Sequence, residues 1–314
     1  MSESVTRGNA DVIVLGAGIV GVSTAYAVRQ RGLAVVLVDR CEPGSETSYG
    51  NAGVLSSGSI FPLNKPSLFR ALPTYLTNRH PALRWDLVWS MRNAPWLLAF
   101  LASARPAHVR PRAAALHGLI GASLKLHRDW IVKADAGARL RETGWLKAWR
   151  SDAVTLATVE QALLAEYGIR SEVLDRQAIS ALEPNIVPAY KVGLLHTETA
   201  SVDSPGAVVK AYAQMFAGHG GQVRRAEIRS IVPDGDGWRV LLADGEMRGR
   251  HVVVALGPWS ADLLQPLGYR VPLAAERGYH QEFKPNPARQ LRRLPSHLRL
   301  RLRPNWPLRN LGFP

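Results

Sequence analysis

Asp11–Arg40 reads DVIVLGAGIVGVSTAYAVRQRGLAVVLVDR, and no other stretch constrains the fold as tightly. Val12–Leu15 is a short apolar run of the kind a strand buried on both faces requires. Gly16-Ala17-Gly18-Ile19-Val20-Gly21 follows at once, and a helical stretch runs on to Arg31. Gly32 then stands where a glycine ends a helix. Val35–Val38 is a second apolar run, closed by Asp39. Strand, glycine turn, helix, strand and acid are the full context of a dinucleotide-binding fingerprint. Gly16 permits the tight turn, Gly18 lets the backbone approach a pyrophosphate, and Gly21 lets helix and sheet pack closely. The helix N-terminus aims N–H groups and partial positive charge at the phosphates. Asp39, 23 positions after Gly16, is placed to accept hydrogen bonds from ribose hydroxyls, and its charge disfavours a 2′-phosphate. These residues do not separate FAD from NAD, and a bare glycine loop is the plainer alternative.

The chain's 314 residues suffice for a substantial core and two subdomains. A single cysteine, Cys41, excludes a disulfide framework and a cysteine-built zinc site. It also suits a reducing compartment. Met1–Ala10 is polar and lacks the apolar run of a secretion signal. No window has the uninterrupted apolar length of a membrane-spanning helix. The net charge of +14 resembles a nucleic-acid signature until it is located. Phe283–Pro314 holds Lys284 and seven arginines without a single acid, so it carries eight of the fourteen charges.

After Asp39 the stretch Glu46-Thr47-Ser48-Tyr49-Gly50-Asn51-Ala52-Gly53 is small, polar and glycine-rich. It reads as a loop or helix start whose amides and hydroxyls line a cofactor, with an ordinary surface turn as the alternative. GAGIVG with VDR, followed by ETSYGNAG, resembles the D-amino-acid oxidase-like family of FAD-dependent oxidoreductases, and within it the bacterial D-amino-acid dehydrogenases. Their Ser-x-x-Asn-x-Gly element is matched by Ser48, Asn51 and Gly53. The resemblance continues through Ala255-Leu256-Gly257-Pro258-Trp259-Ser260 to about Phe283.

It implies an α/β fold, with a Rossmann-like FAD-binding domain and a mixed-sheet α+β substrate domain. The FAD-binding domain is expected at 1–58 and 200–270, and the substrate domain at 59–199 and 271–285. The resemblance also implies that FAD is held by Val14, Gly16, Ala17, Gly18, Ile19, Val20, Gly21, Asp39, Arg40, Ser48, Asn51, Ala52, Gly53, Ala255 and Gly257. Tyr279 and His280, in a strand expected over Val271–Phe283, are candidates beside the flavin, with a structural sheet role as the alternative. The implied reaction oxidises the α-C–N bond of a D-amino acid by hydride transfer to flavin N5, giving a 2-oxo acid and ammonia. Oxygen or a quinone would reoxidise the flavin. The implied setting is cytoplasmic, with peripheral contact on the inner face of the membrane as a variant. The partners are then a small amino-acid substrate and an electron acceptor, with no nucleic acid.

The intervening chain yields further elements. Pro62–Pro111 is rich in tryptophan and proline, with Trp85, Trp89 and Trp96 among aliphatic residues and Arg84, Arg92 and Arg105 alongside. A lid or core-facing helix pair broken at Pro95 is the favoured reading, and an interfacial membrane helix is the alternative. Arg112–Ala136 predicts a long helix whose His117 and His127 are packing or surface residues, and no metal site is expected. Strands are predicted at Gly144–Trp149, Val192–His196, Gln222–Val232, Gly237–Leu242, Glu246–Arg250 and His251–Ala255. Helices are predicted at Val154–Tyr167, at Asp175–Leu182, and after a Ser204 N-cap with Pro205 at its first position.

From Pro285 the sequence is PNPARQLRRLPSHLRLRLRPNWPLRNLGFP, with six prolines, no acid and no periodicity. Family relatives continue instead with Gly-x-Arg and Gly-His-x-x-x-Gly segments. An out-of-frame reading of GC-rich coding sequence gives such a composition, so 286–314 is expected to be an aberrant basic tail on a truncated enzyme. A genuine tail for nucleic acid or anionic lipid is the rival reading. Exposed apolar surface and poor solubility are expected to follow. A non-catalytic remnant with weak or no FAD binding is the alternative to an active enzyme.

Overall fold

The computed structural model describes residues 9–61, 77, 86–185, 189–273 and 294–295. They fall in two compact units, Met1–Glu142 with Thr199–Pro285, and Thr143–Glu198 with Asn286–Pro314.

The first unit is built on β1 (Asn9–Leu15), whose apolar run pairs in parallel with β2 (Val35–Asp39) on one side and β12 (Gly245–Val254) on the other. The six-stranded sheet has the order β10-β11-β12-β1-β2-β9, with β9 at Gln222–Arg225, β10 at Ile228–Asp234 and β11 at Gly237–Leu242. Strand periodicity divides β1 between two cores. Val12 and Val14 pack on one face with Tyr26, Tyr212 and Phe216, while Ile13 and Leu15 pack on the other with Ile231, Val240 and Leu242. Helix α1 (Ile19–Arg29) covers the first face with the later helix at Pro205–Gly218. Between Val54 and Ala200 the chain leaves the sheet and adds α2 (Leu87–Arg92), α3 (Ala94–Ala102) and α4 (Pro106–Lys133) to this unit. The far end of α4 joins the same core, where Trp130 meets Tyr26 edge-on at 4.9 Å and Tyr212 at 6.1 Å. A small three-stranded sheet, β3-β8-β4, combines Val54–Leu55, Ala200–Val202 and Leu140–Arg141.

In the second unit β7 (Val192–His196) lies between β5 (Trp145–Trp149) and β6 (Ser171–Asp175), antiparallel to both. Leu146, Ile179 and Leu195 form its core, with α5 at Val154–Ala165 and α6 at Arg176–Leu182. Asp175 caps α6, its Oδ1 accepting the Ala178 N–H at 2.8 Å. The Lys147 ammonium donates to the Glu160 carboxylate at 2.6 Å in a largely buried pair.

Several predicted boundaries move. Helix α1 stops at Arg29, and a turn closed by the Gly32 N–H donating to the Arg29 carbonyl takes up the residues to Gly32. The single strand expected over Gln222–Val232 is two, because the chain changes partner at Ala226. Before it β9 pairs with β2, and beyond it β10 pairs with β11. Conversely, the strands expected at Glu246–Arg250 and His251–Ala255 are one strand, β12, pairing with β11 along its first half and with β1 along most of its length. Helix α4 starts at Pro106 and runs through Pro111 to Lys133. Helix α7 (Pro205–Gly218) has Ser204 at its N-cap, but the serine hydroxyl makes no capping bond.

The helix pair at α2 and α3 is broken near Pro95, which sits in the first turn of α3, yet it buries none of its residues, so it is not core-facing. Residues 271–273 are not a strand, and the rest of Val271–Phe283 lies outside the described residues. Most of the tail lies outside them too, although Leu294–Pro295 forms β13 alongside Trp145–Leu146. Among the described residues no helix is long and apolar enough to cross a membrane.

One buried polar group has a consequence for stability. His196, at the end of β7, is 1% exposed and packs against the Trp145 ring at 5.0 Å. Neither ring nitrogen has a hydrogen-bond partner among the described residues. Burial pushes the imidazole pKa down to about 4, with the Glu160 carboxylate opposing and the Lys147 ammonium reinforcing the shift. The folded state therefore holds His196 neutral, while the unfolded chain takes up a proton as pH falls below about 6.5. Stability is intact above that value and falls by about 1.4 kcal/mol per pH unit towards pH 4. Urea unfolding at pH 7 and pH 5 is expected to show a loss of roughly 2 kcal/mol from this group. The difference should disappear in His196→Leu; an unchanged slope in that variant would contradict the assignment.

Candidate functional site

The fingerprint residues meet where β1 ends. Gly16 has a φ of +104°, a left-handed conformation suited to glycine, and its N–H donates to the Val38 carbonyl at 2.8 Å. A Cβ on Gly16 would strike the Ala255 carbonyl oxygen, and one on Gly21 would strike the carbonyl oxygen of Gly16. The two glycines thus let the turn, α1 and the end of β12 close on one another, as the Ala255 N–H donating to the Leu15 carbonyl also records.

Gly18 differs from both. Its φ and ψ of −73° and −179° suit any residue, and the nearest atom to a Cβ there is Ser48 Oγ at 3.3 Å. A Cβ there would press only on the hydroxyl that caps α1, and on no backbone, so Gly18 is less crowded than Gly16 or Gly21 and forms an open floor at the N-terminus of α1.

Asp39 and Ser48 brace this floor. Asp39 Oδ2 accepts the Ala17 N–H at 2.6 Å and Oδ1 accepts the Cys41 N–H at 2.8 Å. Each carboxylate oxygen retains capacity for a further bond. Ser48 Oγ accepts the Ile19 N–H at 3.0 Å, capping α1 from a separate loop. That loop holds itself through Asn51, whose side-chain amide donates to the Ser48 carbonyl and accepts the Gly53 N–H at 2.8 Å. Arg40 pairs with Glu46 at 3.1 Å and lies over the Trp259 ring at 4.8 Å. The Cys41 thiol donates to the same Glu46, which pushes its pKa up, with desolvation as the next cause.

A cleft of about 680 Å³ opens above this floor. It brings together Gly16, Gly18, Ile19, Val20, Asp39, Arg40, Ser48, Ala255 and Gly257 from the predicted set. Val14, Ala17 and Gly21 are buried beneath it and support rather than line it. A second cavity, about 480 Å³, shares Ile19 and Ser48 and is lined by Asn51, Ala52 and Gly53 with side chains of α4 and α7. Tyr279 and His280 lie outside the described residues. Sequence reasoning missed the Glu227–Arg229 wall of the first cleft, which sits at the unforeseen strand break, and the Trp259 ring. His127, read as a packing or surface residue, stacks on the Tyr212 ring at 5.8 Å, and it also lines the second cavity, with its Nδ1 at 3.0 Å from the Tyr212 hydroxyl. Burial pushes the His127 pKa down and the Tyr212 pKa up, so the pair is neutral.

The residues present fit the adenosine and pyrophosphate portion of FAD. A glycine that lines the cleft without facing backbone, a helix N-terminus without acids in its first turn and a carboxylate at the next strand end converge on one cleft.

Comparison with known proteins agrees. Residues 11–306 match the family model described as FAD dependent oxidoreductase, DAO. The chain is 32% identical over 275 residues to a D-amino-acid oxidase of Bradyrhizobium diazoefficiens, covering 86% of this chain and 65% of that protein. It is 35% identical over 277 residues to D-amino acid dehydrogenase 2 of Pseudomonas aeruginosa, covering 85% and 65% respectively. The chain thus spans slightly less than two thirds of these relatives' length. Among solved structures, glycine oxidase from Geobacillus kaustophilus superposes with a TM-score of 0.58 at 19% identity, covering 83% of this chain and 58% of that one. L-amino acid deaminase from Proteus vulgaris gives 0.60 at 18% identity, covering 86% and 52%. These two likenesses speak for the fold alone. With the family model spanning nearly the whole sequence, the chain belongs to the DAO family of FAD dependent oxidoreductases.

Proposed function

We propose that this chain holds FAD through the β1–α1–β2 cleft and oxidises the α-C–N bond of a D-amino acid. The single observation that carries the cofactor reading is Gly18, a glycine with ordinary dihedrals that lines the cleft at a helix N-terminus and where a Cβ would meet the Ser48 hydroxyl and no backbone. The D-amino-acid assignment rests on the relatives named oxidase and dehydrogenase for that substrate class. When bound, FAD would supply the hydride acceptor, flavin N5, leaving an imino acid that water hydrolyses to a 2-oxo acid and ammonia.

In this scheme Gly16 and Gly18 keep side chains out of the pyrophosphate path, and α1 directs its N-terminal dipole there. Asp39 takes the ribose hydroxyls on its remaining lone pairs. The Trp259 ring, held beneath the Arg40 guanidinium, forms part of the adenosine-end wall. The loop from Ser48 to Gly53 carries the site onward to the second cavity, lined by aliphatic side chains of α4 and α7 and by the neutral His127 ring, which the buried Tyr212 hydroxyl holds from behind. Oxygen or a quinone then takes the electrons, and a cytoplasmic site on or near the membrane suits either acceptor.

The first test is the visible spectrum of the purified chain before and after added FAD. Flavin bands that co-elute with protein are expected, with anaerobic bleaching by D-amino acids and not by their L enantiomers. A colourless protein that ignores FAD would overturn the reading in favour of a non-catalytic remnant. Bleaching by glycine alone would reassign the substrate.

Glycine substitutions separate cofactor binding from folding. Gly18→Ala is expected to cost less stability than Gly21→Ala, since its Cβ meets only the Ser48 hydroxyl, while weakening FAD binding about tenfold or more, read by fluorescence quenching of FAD. Gly21→Ala should instead destabilise the fold by about 3 kcal/mol, because its Cβ meets backbone rather than cleft. Equal losses of stability in the two variants would argue against a ligand-driven reason for Gly18.

A further inference from the structure

The second cavity holds more polar side chains than its own loop consumes. Ser48, Asn51 and Ser56 line it from the loop side, and each is engaged there. Ser48 Oγ takes the Ile19 N–H, and Asn51 bonds Ser48 and Gly53. Ser56 Oγ accepts the Gly58 N–H at 3.2 Å and the Ser59 hydroxyl at 2.9 Å. From α4 the cavity receives Ser123 and His127, one helical turn apart on the same face. Neither the Ser123 hydroxyl nor His127 Nε2 has a hydrogen-bond partner among the described residues.

His127 is fixed from behind. The hydroxyl of the fully buried Tyr212 donates to the His127 carbonyl oxygen at 3.3 Å and lies 3.0 Å from His127 Nδ1. A phenol has one proton to give. With that proton committed to the carbonyl, Nδ1 carries the imidazole proton and donates it to the phenol oxygen, so Nε2 presents a lone pair. Burial pushes the imidazole pKa down and keeps that lone pair free of a second proton. Around it the lining is aliphatic, with Ile120 and Leu124 from α4 and Val208 and Val209 from α7. A cavity of about 480 Å³ walled in this way suits a flat ring with a few polar atoms. Ile19 and Ser48 line the first cleft as well, so the two spaces meet at the start of α1.

We propose that His127 is a flavin-contact residue, its Nε2 accepting a hydrogen bond from an N–H or O–H of the isoalloxazine–ribityl half of FAD. Tyr212 is the positioning residue that fixes the imidazole tautomer. This contact rests on the flavin reading above, and adds to it a group from a helix that lies far beyond the fingerprint in sequence.

Calorimetric titration of the full chain with FAD and, separately, with ADP tests it. ADP carries the adenosine and pyrophosphate portion without the flavin, so it reports the first cleft alone. His127→Phe should weaken FAD binding about tenfold, the worth of one hydrogen bond in an apolar site, and leave ADP binding unchanged. His127→Gln, whose amide oxygen can accept the same bond, should recover most of the affinity. Tyr212→Phe keeps the imidazole but releases its tautomer, so a smaller loss for FAD is expected, again with none for ADP. Equal losses for the two ligands, or unaltered FAD affinity in His127→Phe, would overturn the proposal. If thermal melts show His127→Phe to be unfolded, Tyr212→Phe carries the same comparison, and equal losses or none would overturn it there. A wild-type chain that binds FAD no more tightly than ADP would overturn this contact alone. One that binds neither would overturn the flavin reading beneath it.

Discussion

The close approach of three backbones at Gly16, Gly21 and Ala255 is the constraint on which the first unit depends. Helix α1 can lie on β1 only if nothing stands between the Gly21 Cα and the Gly16 carbonyl, and the turn can form only if nothing stands between Gly16 and Ala255. Both requirements are steric and admit glycine alone. Their consequence is electrostatic, because a helix seated this low presents its N-terminus to the cleft at the end of the parallel strands. A side chain at either position would move the helix outward and take the anion-binding end with it.

Around that contact, residues usually read as ligand contacts also serve the fold itself. Asp39 takes two backbone N–H groups of the loops it joins, and Ser48 caps a helix 29 positions away in sequence. Pre-paired groups of this kind lower the cost of binding, because the loop is held in one shape before the ligand arrives. They also mean that an Asp39 or Ser48 variant losing its cofactor would not by itself demonstrate a direct contact. Gly18 is the more discriminating position, since a Cβ there meets one side-chain hydroxyl and no backbone.

The sequence was most legible where one residue type answers one physical demand. The β1–α1–β2 unit, Pro205 at the start of α7, Asp175 at the start of α6 and the two-sided burial of β1 all follow from local rules of this sort. Readings failed where partner choice decides the outcome. Alternation over Gln222–Val232 is genuine, but it cannot say that Ala226 is where the chain exchanges β2 for β11. The apolar character of α2 and α3 predicted burial, because hydrophobicity reports a need for cover without naming what supplies it. At the site, Glu227–Arg229 and Trp259 went unseen because they arrive from strands and turns distant in sequence. His127 gave no signal beyond its position on an amphipathic helix.

The discontinuity of the first unit has an energetic explanation. The chain leaves this unit after Glu142 and re-enters it at Thr199, before α7, β9 and β12 complete the sheet. Closing such a loop costs entropy, but the cost rises only as the logarithm of its length, about 0.6 kcal/mol for each doubling. Burying one leucine or phenylalanine side chain recovers about 1.5–3 kcal/mol, and the return delivers Val208, Tyr212, Phe216, Val240 and Leu242 to the two cores. The unit can therefore tolerate a large insertion after Glu142, provided that the returning strands bring their apolar faces. The tolerance has a structural consequence at the cleft. Ala255, which closes over Gly16, and Trp259, which faces Arg40, both come from the returning segment. The fingerprint at the start of the chain is complete in sequence by Asp39, but as a cleft it exists only once the chain has come back.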